Sequence, residues 1–414
     1  MYDRGMSMGS SLGTCGQGRR LLLLGVVAFA AAACGDDVEP MGEPVDASVP
    51  VEYDAAPVDP NIFVWDMVPE GLPKPFVPEE NPMTYTKVEL GRYLFFDEQL
   101  SGNGTQSCGS CHEQELAFAD GIALPIGSTG EVVPRNSLGL MNVAYHTTFT
   151  WMNPEFHDLR TQIQVPLFGE FPVELGVSGN DEEVLMRFSI DPDYIARFAA
   201  AFPDEDDPIT FGNIAKALAS FVRSMVSFDS PYDRHSYKGD TTAMSESALR
   251  GQELFFEERI DCHHCHGNFH FSLNVRHENT VFIETGFANN GLYNVGNNGS
   301  YPAPSEGLVA ITERIQDRGK MRTSSLRNVA ITGPYMHDGS IETLEEVLDM
   351  YERGGRFVTS GPNVGDGRDN PFKSEFVHGF VLTEQERADV LAFLESLTDE
   401  TFLVDPKFSN PFEQ

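Results

Sequence analysis

The sequence predicts a mostly α-helical fold in which two related domains follow each other, with long loops and few short strands. Three observations predict it. The pattern C-x-x-C-H occurs twice, at residues 108–112 and 262–266. A similar amphipathic segment that ends in two Phe residues precedes each copy, at 91–97 and 251–257. Few stretches alternate polar and apolar residues with the period of two that is typical of strands.

The C-x-x-C-H pattern is the attachment signature of a covalently bound c-type haem. Its cysteines hold the porphyrin through two thioether bonds, and the histidine binds the iron as proximal ligand. These residues are Cys108, Cys111 and His112 in the first copy and Cys262, Cys265 and His266 in the second. A redox dithiol or half of a zinc site is the alternative, but the histidine follows directly in both copies. The sequence therefore predicts two c-type haems in two cytochrome c-like domains.

Composition narrows the possible partners. The chain has 414 residues and a formal net charge of −35, which argues against nucleic acid and favours a partner with a basic face. Apart from the haem cysteines, the sequence contains only Cys15 and Cys34, both near its beginning. No cysteine is therefore left for a structural disulfide.

The first 34 residues have the pattern of a lipoprotein signal peptide. Two arginines precede an apolar run over 21–33, which is too short to span a bilayer and ends in three alanines before Cys34. We expect a periplasmic protein with a lipid on Cys34 as its only membrane contact; an ordinary cleaved leader is the alternative. Residues 35–62, rich in Asp, Glu and Pro, are predicted to be a disordered tether.

Hydrophobic spacing and capping residues predict several elements of the folded part. Helices are expected within 210–228, over 343–351 and over 383–397, where the last begins with a capping box. Residues 227–240 are predicted to form a domain boundary, which gives domains over 63–235 and 236–414. A surface loop is expected over 289–304.

Three further segments resemble the bacterial di-haem cytochrome c peroxidase and MauG superfamily over about residues 75–400. They are Arg135-Asn136, Leu326-Arg-Asn-Val329 and the motif Thr332-Gly-Pro-Tyr-Met-His-Asp-Gly339. The segments 100–105 and 172–176 are most similar to MauG-like enzymes of methanobactin gene clusters. That group includes an enzyme that oxidises a tryptophan on a partner copper-binding protein. The resemblance implies a peroxidatic haem in the N-terminal domain and an electron-transfer haem in the C-terminal one.

Many members of this superfamily have a distal histidine about 16 residues after the first proximal histidine. Here that region reads Ile-Gly-Ser-Thr-Gly over 126–130, and no histidine occurs from 113 to 145. We therefore expect an open first haem that binds hydrogen peroxide. His146 or His157 as a distal ligand is the alternative.

The resemblance also implies the catalytic residues of the first haem. The distal Gln, Pro and Glu of the family correspond to Gln162, Pro166 and Glu174, with Glu170 as the other candidate for the acid. A buried carboxylate there can move a proton between the peroxide oxygens. Trp151 matches the tryptophan that relays electrons between the haems, and simple packing is its alternative role.

At the second haem, the family places a distal ligand about 14 residues beyond the histidine of the His-Asp-Gly motif. Counting from His337 gives Tyr351, the type of ligand found in MauG, whereas the neighbouring Met350 would match the ordinary peroxidases. A thioether favours ferrous iron, and a phenolate favours ferric and higher states. Tyr351 therefore favours MauG-like chemistry.

Two other metal sites are considered. The resemblance implies that one calcium ion is bound by Asn136, Thr332 and Pro334, through a side-chain amide and backbone carbonyls. A histidine-rich patch follows the second haem motif, and its members are His263, His264, His270 and His277. Zinc or copper binding there is conceivable, but incidental exposure is favoured.

The leading hypothesis is a periplasmic di-haem oxidoreductase of the peroxidase type. It would use hydrogen peroxide to form a high-valent di-haem state. Through long-range electron transfer, this state would oxidise an aromatic residue such as Trp on a secreted partner protein, for which a copper-binding protein is one candidate. The second hypothesis is a cytochrome c peroxidase that reduces peroxide with electrons from a small cytochrome. The third is a non-catalytic electron carrier.

Overall fold

The structure, a computed structural model, describes residues 61–413 as a helical fold with very few strands. This range contains eleven α-helices, which are α1 (Tyr85–Phe96), α2 (Leu159–Phe168), α3 (Asp181–Ser189), α4 (Pro192–Ala201), α5 (Phe211–Ser224), α6 (Pro231–Tyr237), α7 (Glu246–Phe255), α8 (His263–His266), α9 (Val309–Thr312), α10 (Leu344–Arg353) and α11 (Glu384–Glu395). Two antiparallel pairs of two-residue strands complete it, β1 (Phe287–Ala288) with β2 (Met321–Arg322) and β3 (Phe357–Val358) with β4 (Gly365–Asp366). The predicted fold class is confirmed.

The predicted signal peptide, Cys34 and nearly all of the predicted tether lie outside the described residues. Across 61–413, none of the helices combines the length and the apolar character that a bilayer crossing requires. The described residues belong to one compact unit, and the division into domains at 235/236 remains a prediction.

The helices predicted from hydrophobic spacing are present, and a side-chain cap defines the start of each. Thr210 caps α5, Thr343 caps α10, and Thr383 forms the predicted capping box with Glu386 at α11. Such caps satisfy backbone N–H groups that have no partner in the first turn. Eleven of the fourteen residues of α5 are buried, so this helix forms the centre of the larger core.

The two helices that lead into the pentapeptides pack in the same way. Helix α1 crosses α5 at Gly91, where an added Cβ would lie 2.1 Å from the carbonyl oxygen of Ala217. Helix α7 crosses α11 at Gly251, where an added Cβ would lie 1.8 Å from that of Asp389. Each glycine therefore allows a backbone-to-backbone approach that no larger residue permits. The sequence repeat thus corresponds to two equivalent helix pairs.

A second repeated feature was not recognised in the sequence. Asn142 and Asn328 are both fully buried, both have a left-handed backbone with φ of 57°, and both precede a single 3-10 turn. The backbone N–H of Asn142 donates to Met225, just beyond α5, and that of Asn328 donates to Leu397, just beyond α11. Asparagine tolerates this backbone conformation better than most residues. Each asparagine therefore connects the loop in which it lies to the C-terminal end of a helix, α5 for Asn142 and α11 for Asn328.

The loop predicted over 289–304 is exposed only in part. Its flanks are largely buried, with Leu292, Tyr293 and Tyr301 in one cluster with Met350, whereas residues 296–298 and 303–304 are exposed, so the prediction of a surface loop is only partly correct. Its glycines suggested exposure, but they accompany tight turns around apolar side chains. Residues 227–240 contain α6, and Asp233 at its start accepts two hydrogen bonds from the buried guanidinium of Arg327.

Candidate active site

Each pentapeptide lies in the wall of its own cavity. The first cavity is lined by Cys108, Cys111 and His112, and the second by Cys262, Cys265 and His266. Residues 136–139 line both cavities, so the two are neighbours separated by a shared wall. The folded chain therefore brings the two attachment motifs to adjacent sites.

Both proximal histidines are oriented by the same type of hydrogen bond. Nδ1 of His112 donates to the carbonyl oxygen of Phe118 at 2.7 Å, and Nδ1 of His266 donates to that of Phe271 at 3.1 Å. A carbonyl oxygen only accepts, so each Nδ1 carries the proton and each Nε2 keeps its lone pair for a metal. Burial lowers the pKa of both imidazoles, which favours the neutral form that binds iron.

The four cysteines of the motifs are unpaired thiols. Burial raises the pKa of Cys108 and Cys262 to about 12 and that of Cys111 to about 11, and it also raises the pKa of Cys265. A reactive redox dithiol needs a lowered thiol pKa. Among the described residues, none of these cysteines belongs to a metal-binding group of His, Cys, Asp and Glu. The sites fit covalent haem and do not fit the redox or zinc alternatives.

The first cavity has a polar far wall. Gln162 and Pro166 project from α2, and Glu174 lies in the loop that follows this helix. Arg135 lines the same cavity, and its Nε atom and Oε1 of Gln162 are buried without a hydrogen-bond partner among the described residues. Buried polar atoms are rarely left unpaired, so this wall is suited to a small polar ligand.

Glu174 has the electrostatic environment of a proton carrier. Burial raises the pKa of its carboxyl group, and the nearby Arg135 offsets part of that rise. An acid–base group functions best when its pKa lies close to the working pH. Glu170, the other candidate, lies outside this cavity, where its carboxylate accepts a hydrogen bond from Ser178.

Among residues 61–413, His146 is the one histidine besides His112 that lines the first cavity, and its ring is not oriented to bind a metal there. Gly127 lines it in the region where relatives carry a distal histidine, and it has no side chain to project. His157 lies elsewhere, with Nδ1 bonded to the carbonyl oxygen of Thr147. His146 does line the cavity, but Nη1 of Arg322 donates to its Nδ1 at 3.1 Å. The neutral ring then carries its proton on Nε2, and a protonated nitrogen has no lone pair for iron.

Tyr351 and Met350 lie on different sides of α10. Tyr351 lines the second cavity together with the haem-binding motif, whereas Met350 does not line it and packs in a core with Leu292 and Tyr301. Burial raises the pKa of the Tyr351 phenol to about 12, although a hydrogen bond with Asn290 favours ionisation. Without a metal the phenol therefore stays protonated at neutral pH, and binding to iron would release the proton.

Trp151 lies in the wall that the two cavities share, since it lines both of them. Its indole N–H donates to the carbonyl oxygen of Asn136 at 2.8 Å, and its own carbonyl oxygen accepts from the backbone N–H of Arg322 at 2.7 Å. Hydrogen bonds on both its side chain and its backbone hold the ring in one position.

The three residues expected at a calcium site all line the second cavity. They are Asn136, Thr332 and Pro334. The side-chain nitrogen of Asn136 donates to the carbonyl oxygen of Ile122 at 2.8 Å, while its side-chain oxygen accepts no hydrogen bond from the described residues. An amide oxygen with backbone carbonyls and water is a donor set that suits calcium.

Sequence reasoning missed Arg322 and the environment of His146. Arg322 is buried, lines both cavities and donates to His146 and to the carbonyl oxygen of Thr150. Neither residue belongs to a motif, and one arginine in a two-residue strand gives no periodic signal. Arg135 and His337 also line cavities, but they belong to segments already singled out, so their motifs could have identified them.

Comparison with known proteins gives one consistent family. Residues 85–242 match the family model of di-haem cytochrome c peroxidase. The methylamine utilization protein MauG of Methylorubrum extorquens is 33% identical over 332 residues, which are 80% of this chain and 83% of that protein. Cytochrome c551 peroxidase of Pseudomonas aeruginosa is 28% identical over 64% of this chain and 72% of its own length.

A solved structure gives a closer match. It is the crystal structure of a MauG-like protein associated with microbial copper homeostasis, with a TM-score of 0.82 and 48% identity. The match covers 84% of this chain and 99% of that protein.

Proposed function

This chain belongs to the di-haem cytochrome c peroxidase and MauG family, and we propose that it uses hydrogen peroxide to oxidise an aromatic side chain, such as Trp, on a secreted partner protein. The family makes it a di-haem oxidoreductase of the peroxidase type. The observation that carries the proposal is the position of Tyr351, which faces the second haem motif while Met350 packs away from it.

The residues that would hold the cofactors are the six of the two pentapeptides, with Tyr351 as second ligand at the second iron. When bound, the haems supply an iron that takes up peroxide and a second iron that exchanges electrons. The phenolate of Tyr351 is a hard anionic donor and disfavours the ferrous state, which suits the removal of electrons from a slow protein donor. A thioether would instead suit rapid uptake of electrons from a small cytochrome.

In the first cavity, the protein would move protons and orient the oxidant. Glu174 would take the proton from the near oxygen of hydrogen peroxide and deliver it to the far oxygen, which would leave as water when the O–O bond breaks. The two electrons for this cleavage would come from the bound haems and would be replaced by electrons from the side chain that is oxidised on the partner. The raised pKa of Glu174 supports both halves of the proton transfer. A carboxyl group whose pKa lies closer to the working pH can both accept a proton and release it. Arg135 and Gln162 offer unpaired polar atoms on the same wall for orienting a small polar molecule.

Trp151 would carry electrons between the two sites. It lies in the wall common to both cavities and is held by hydrogen bonds to Asn136 and Arg322. Because its ring borders each cavity, one long electron transfer is replaced by two shorter ones. The calcium ion that we propose at Asn136, Thr332 and Pro334 would stiffen this wall, since Asn136 also accepts the indole hydrogen bond.

The partner is proposed to be a secreted protein with a basic face, and a copper-binding protein is the candidate. The negative charge of the chain favours a basic surface, and a solved structure similar to this chain is associated with microbial copper homeostasis. We place the enzyme in the periplasm with a lipid on Cys34, because the beginning of the sequence has the pattern of a lipoprotein signal peptide.

The haem spectrum of the holoprotein tests this proposal, in the ferric state and after one equivalent of peroxide. Tyr351→Phe is expected to change the spectrum of one haem and to abolish peroxide-dependent oxidation of a partner Trp, detected by mass spectrometry. Met350→Leu is the matched control and should behave as wild type. If Met350→Leu removes a ligand and reduced cytochrome supports turnover, the chain is a cytochrome c peroxidase. If peroxide changes neither haem, it is an electron carrier.

A further inference from the structure

A cluster of potential metal ligands lies beside the second haem motif and is not used by the proposed function. His263 and His264 are the two residues between the motif cysteines, and Glu258 follows α7. Their ligand atoms all lie within 4.8 Å of one another, and no other such group of His, Cys, Asp and Glu occurs in residues 61–413. None of the three lines the second cavity, so the cluster is on the outer side of the haem motif.

The separations between these atoms suit a small transition-metal ion. One carboxylate oxygen of Glu258 lies 3.7 Å from Nε2 of His263, and the other lies 3.1 Å from Nε2 of His264. Tetrahedral zinc with bonds of about 2.0–2.1 Å requires its ligand atoms to be roughly 3.3 Å apart. The observed distances lie on both sides of that value, so small side-chain rotations would complete the geometry.

Asp261 offers a fourth ligand. Its Oδ1 atom is buried, accepts no hydrogen bond from the described residues and lies 3.5 Å from Nε2 of His264. Its Oδ2 atom is bonded to Nε2 of His378 at 2.9 Å, which fixes the direction of the carboxylate. An outer partner of this kind is typical of metal sites. The two carboxylates also bring negative charge that a divalent cation would neutralise.

The two imidazoles are held by ring packing. The ring of His264 stacks on Phe376 with centroids 4.2 Å apart and an interplanar angle of 13°. The ring of His263 lies 4.3 Å from that of His264. Because their motion is already restricted, less conformational entropy would be lost when a metal binds.

We propose that Glu258, Asp261, His263 and His264 bind one divalent transition-metal ion at the edge of the second haem pocket, whose wall includes Asp261 but not the other three. Imidazole and carboxylate together suit zinc and copper, whereas calcium and magnesium prefer sites made only of oxygen. The proposal does not depend on the identity of the partner protein or on Tyr351.

Equilibrium dialysis of the holoprotein against zinc chloride alone, followed by elemental analysis, tests the proposal. Wild type is expected to bind one zinc ion in addition to its two haem irons. Glu258→Gln, Asp261→Asn and His264→Gln should each weaken zinc binding about tenfold or more. The controls Glu253→Gln, on the exposed side of α7, and His277→Gln should bind zinc as wild type does.

The variants at Glu258 and Asp261 leave the haem motif intact, so haem content measured by absorbance separates loss of the metal site from failed haem attachment. A parallel titration with copper(II) should show tighter binding than zinc and an electron paramagnetic resonance signal with nitrogen coupling. The proposal is overturned if wild type binds no zinc, or if Glu258→Gln and His264→Gln bind it with wild-type affinity.

Discussion

The two haem-binding halves of the molecule share a scaffold and differ in what faces the haem. Each half has a helix pair crossing at a glycine, Gly91 in the first and Gly251 in the second. Each also has a buried asparagine fastened to the end of the second helix of the pair. Each proximal histidine donates to a carbonyl oxygen a few residues further along the chain. The helix crossing, the buried asparagine and the histidine hydrogen bond are therefore repeated on the side of each cavity where the haem would be attached to the chain.

The difference lies in elements that are not repeated. Helix α2 and the loop after it give the first cavity its polar wall, with Glu174 as the buried acid. Helix α10 gives the second cavity Tyr351. A repeated scaffold can therefore support two chemistries when different segments cover its open faces. Three predictions test this separation.

The largest effect is expected at the polar wall of the first cavity. Glu174→Gln keeps the shape of the side chain but cannot accept a proton, so kcat/KM for peroxide should fall by about 10²–10⁴-fold. Stopped-flow measurement of peroxide consumption by the holoprotein would check this. Glu170→Gln is the matched control, because that carboxylate bonds to Ser178 outside the cavity, and it should retain the wild-type rate. Equal losses in both variants would remove Glu174 from its proposed role.

The shared scaffold predicts equal sensitivity at the two helix crossings. Gly91→Ala and Gly251→Ala would each place a Cβ within about 2 Å of a carbonyl oxygen, so each should lower the free energy of unfolding by about 1–3 kcal/mol. Urea denaturation followed by circular dichroism measures the change. Gly212→Ala, at an uncrowded position in α5, is the control and should be neutral or stabilising by up to about 1 kcal/mol. A large loss at only one crossing would contradict the equivalence of the halves.

The smallest effect is the contribution of Glu174 to the pH dependence of stability. Burial raises the pKa of Glu174 above its ordinary value of 4.5, so the folded chain holds this proton to higher pH than the unfolded chain does. The contribution of Glu174 to stability therefore decreases as pH rises from 4.5 through the raised pKa. Glu174→Gln removes this contribution, so the free energy of unfolding of the variant should improve relative to wild type over that interval. The free energies of unfolding of wild type and variant would be measured by urea denaturation across this pH interval. If burial did not raise the pKa of Glu174, the difference between them would stay constant.

The two haem-attachment motifs and the helices that precede them were predicted correctly from the sequence, because both depend on the spacing of nearby residues. The sequence could not decide whether Tyr351 or Met350 is the ligand of the second haem. The two residues are adjacent on one helix, and only the packing of that helix determines which side chain lines the cavity. The prediction was only partly correct for residues 289–304, where the glycines suggested a surface loop but the flanks carry buried side chains such as Tyr293 and Tyr301. The equivalence of Asn142 and Asn328 could not be predicted, because the sequence does not show which residues adopt a left-handed backbone conformation.

The segment after α11 returns to the first half of the molecule. Phe402 packs against Phe118, and its carbonyl oxygen accepts a hydrogen bond from Gln114, 288 positions earlier in the chain. Phe118 is the residue whose carbonyl orients His112. The pocket around the first haem motif therefore cannot reach its final packing until the last part of the chain has folded onto it. Completion of the N-terminal pocket thus depends on the C-terminal end of the protein.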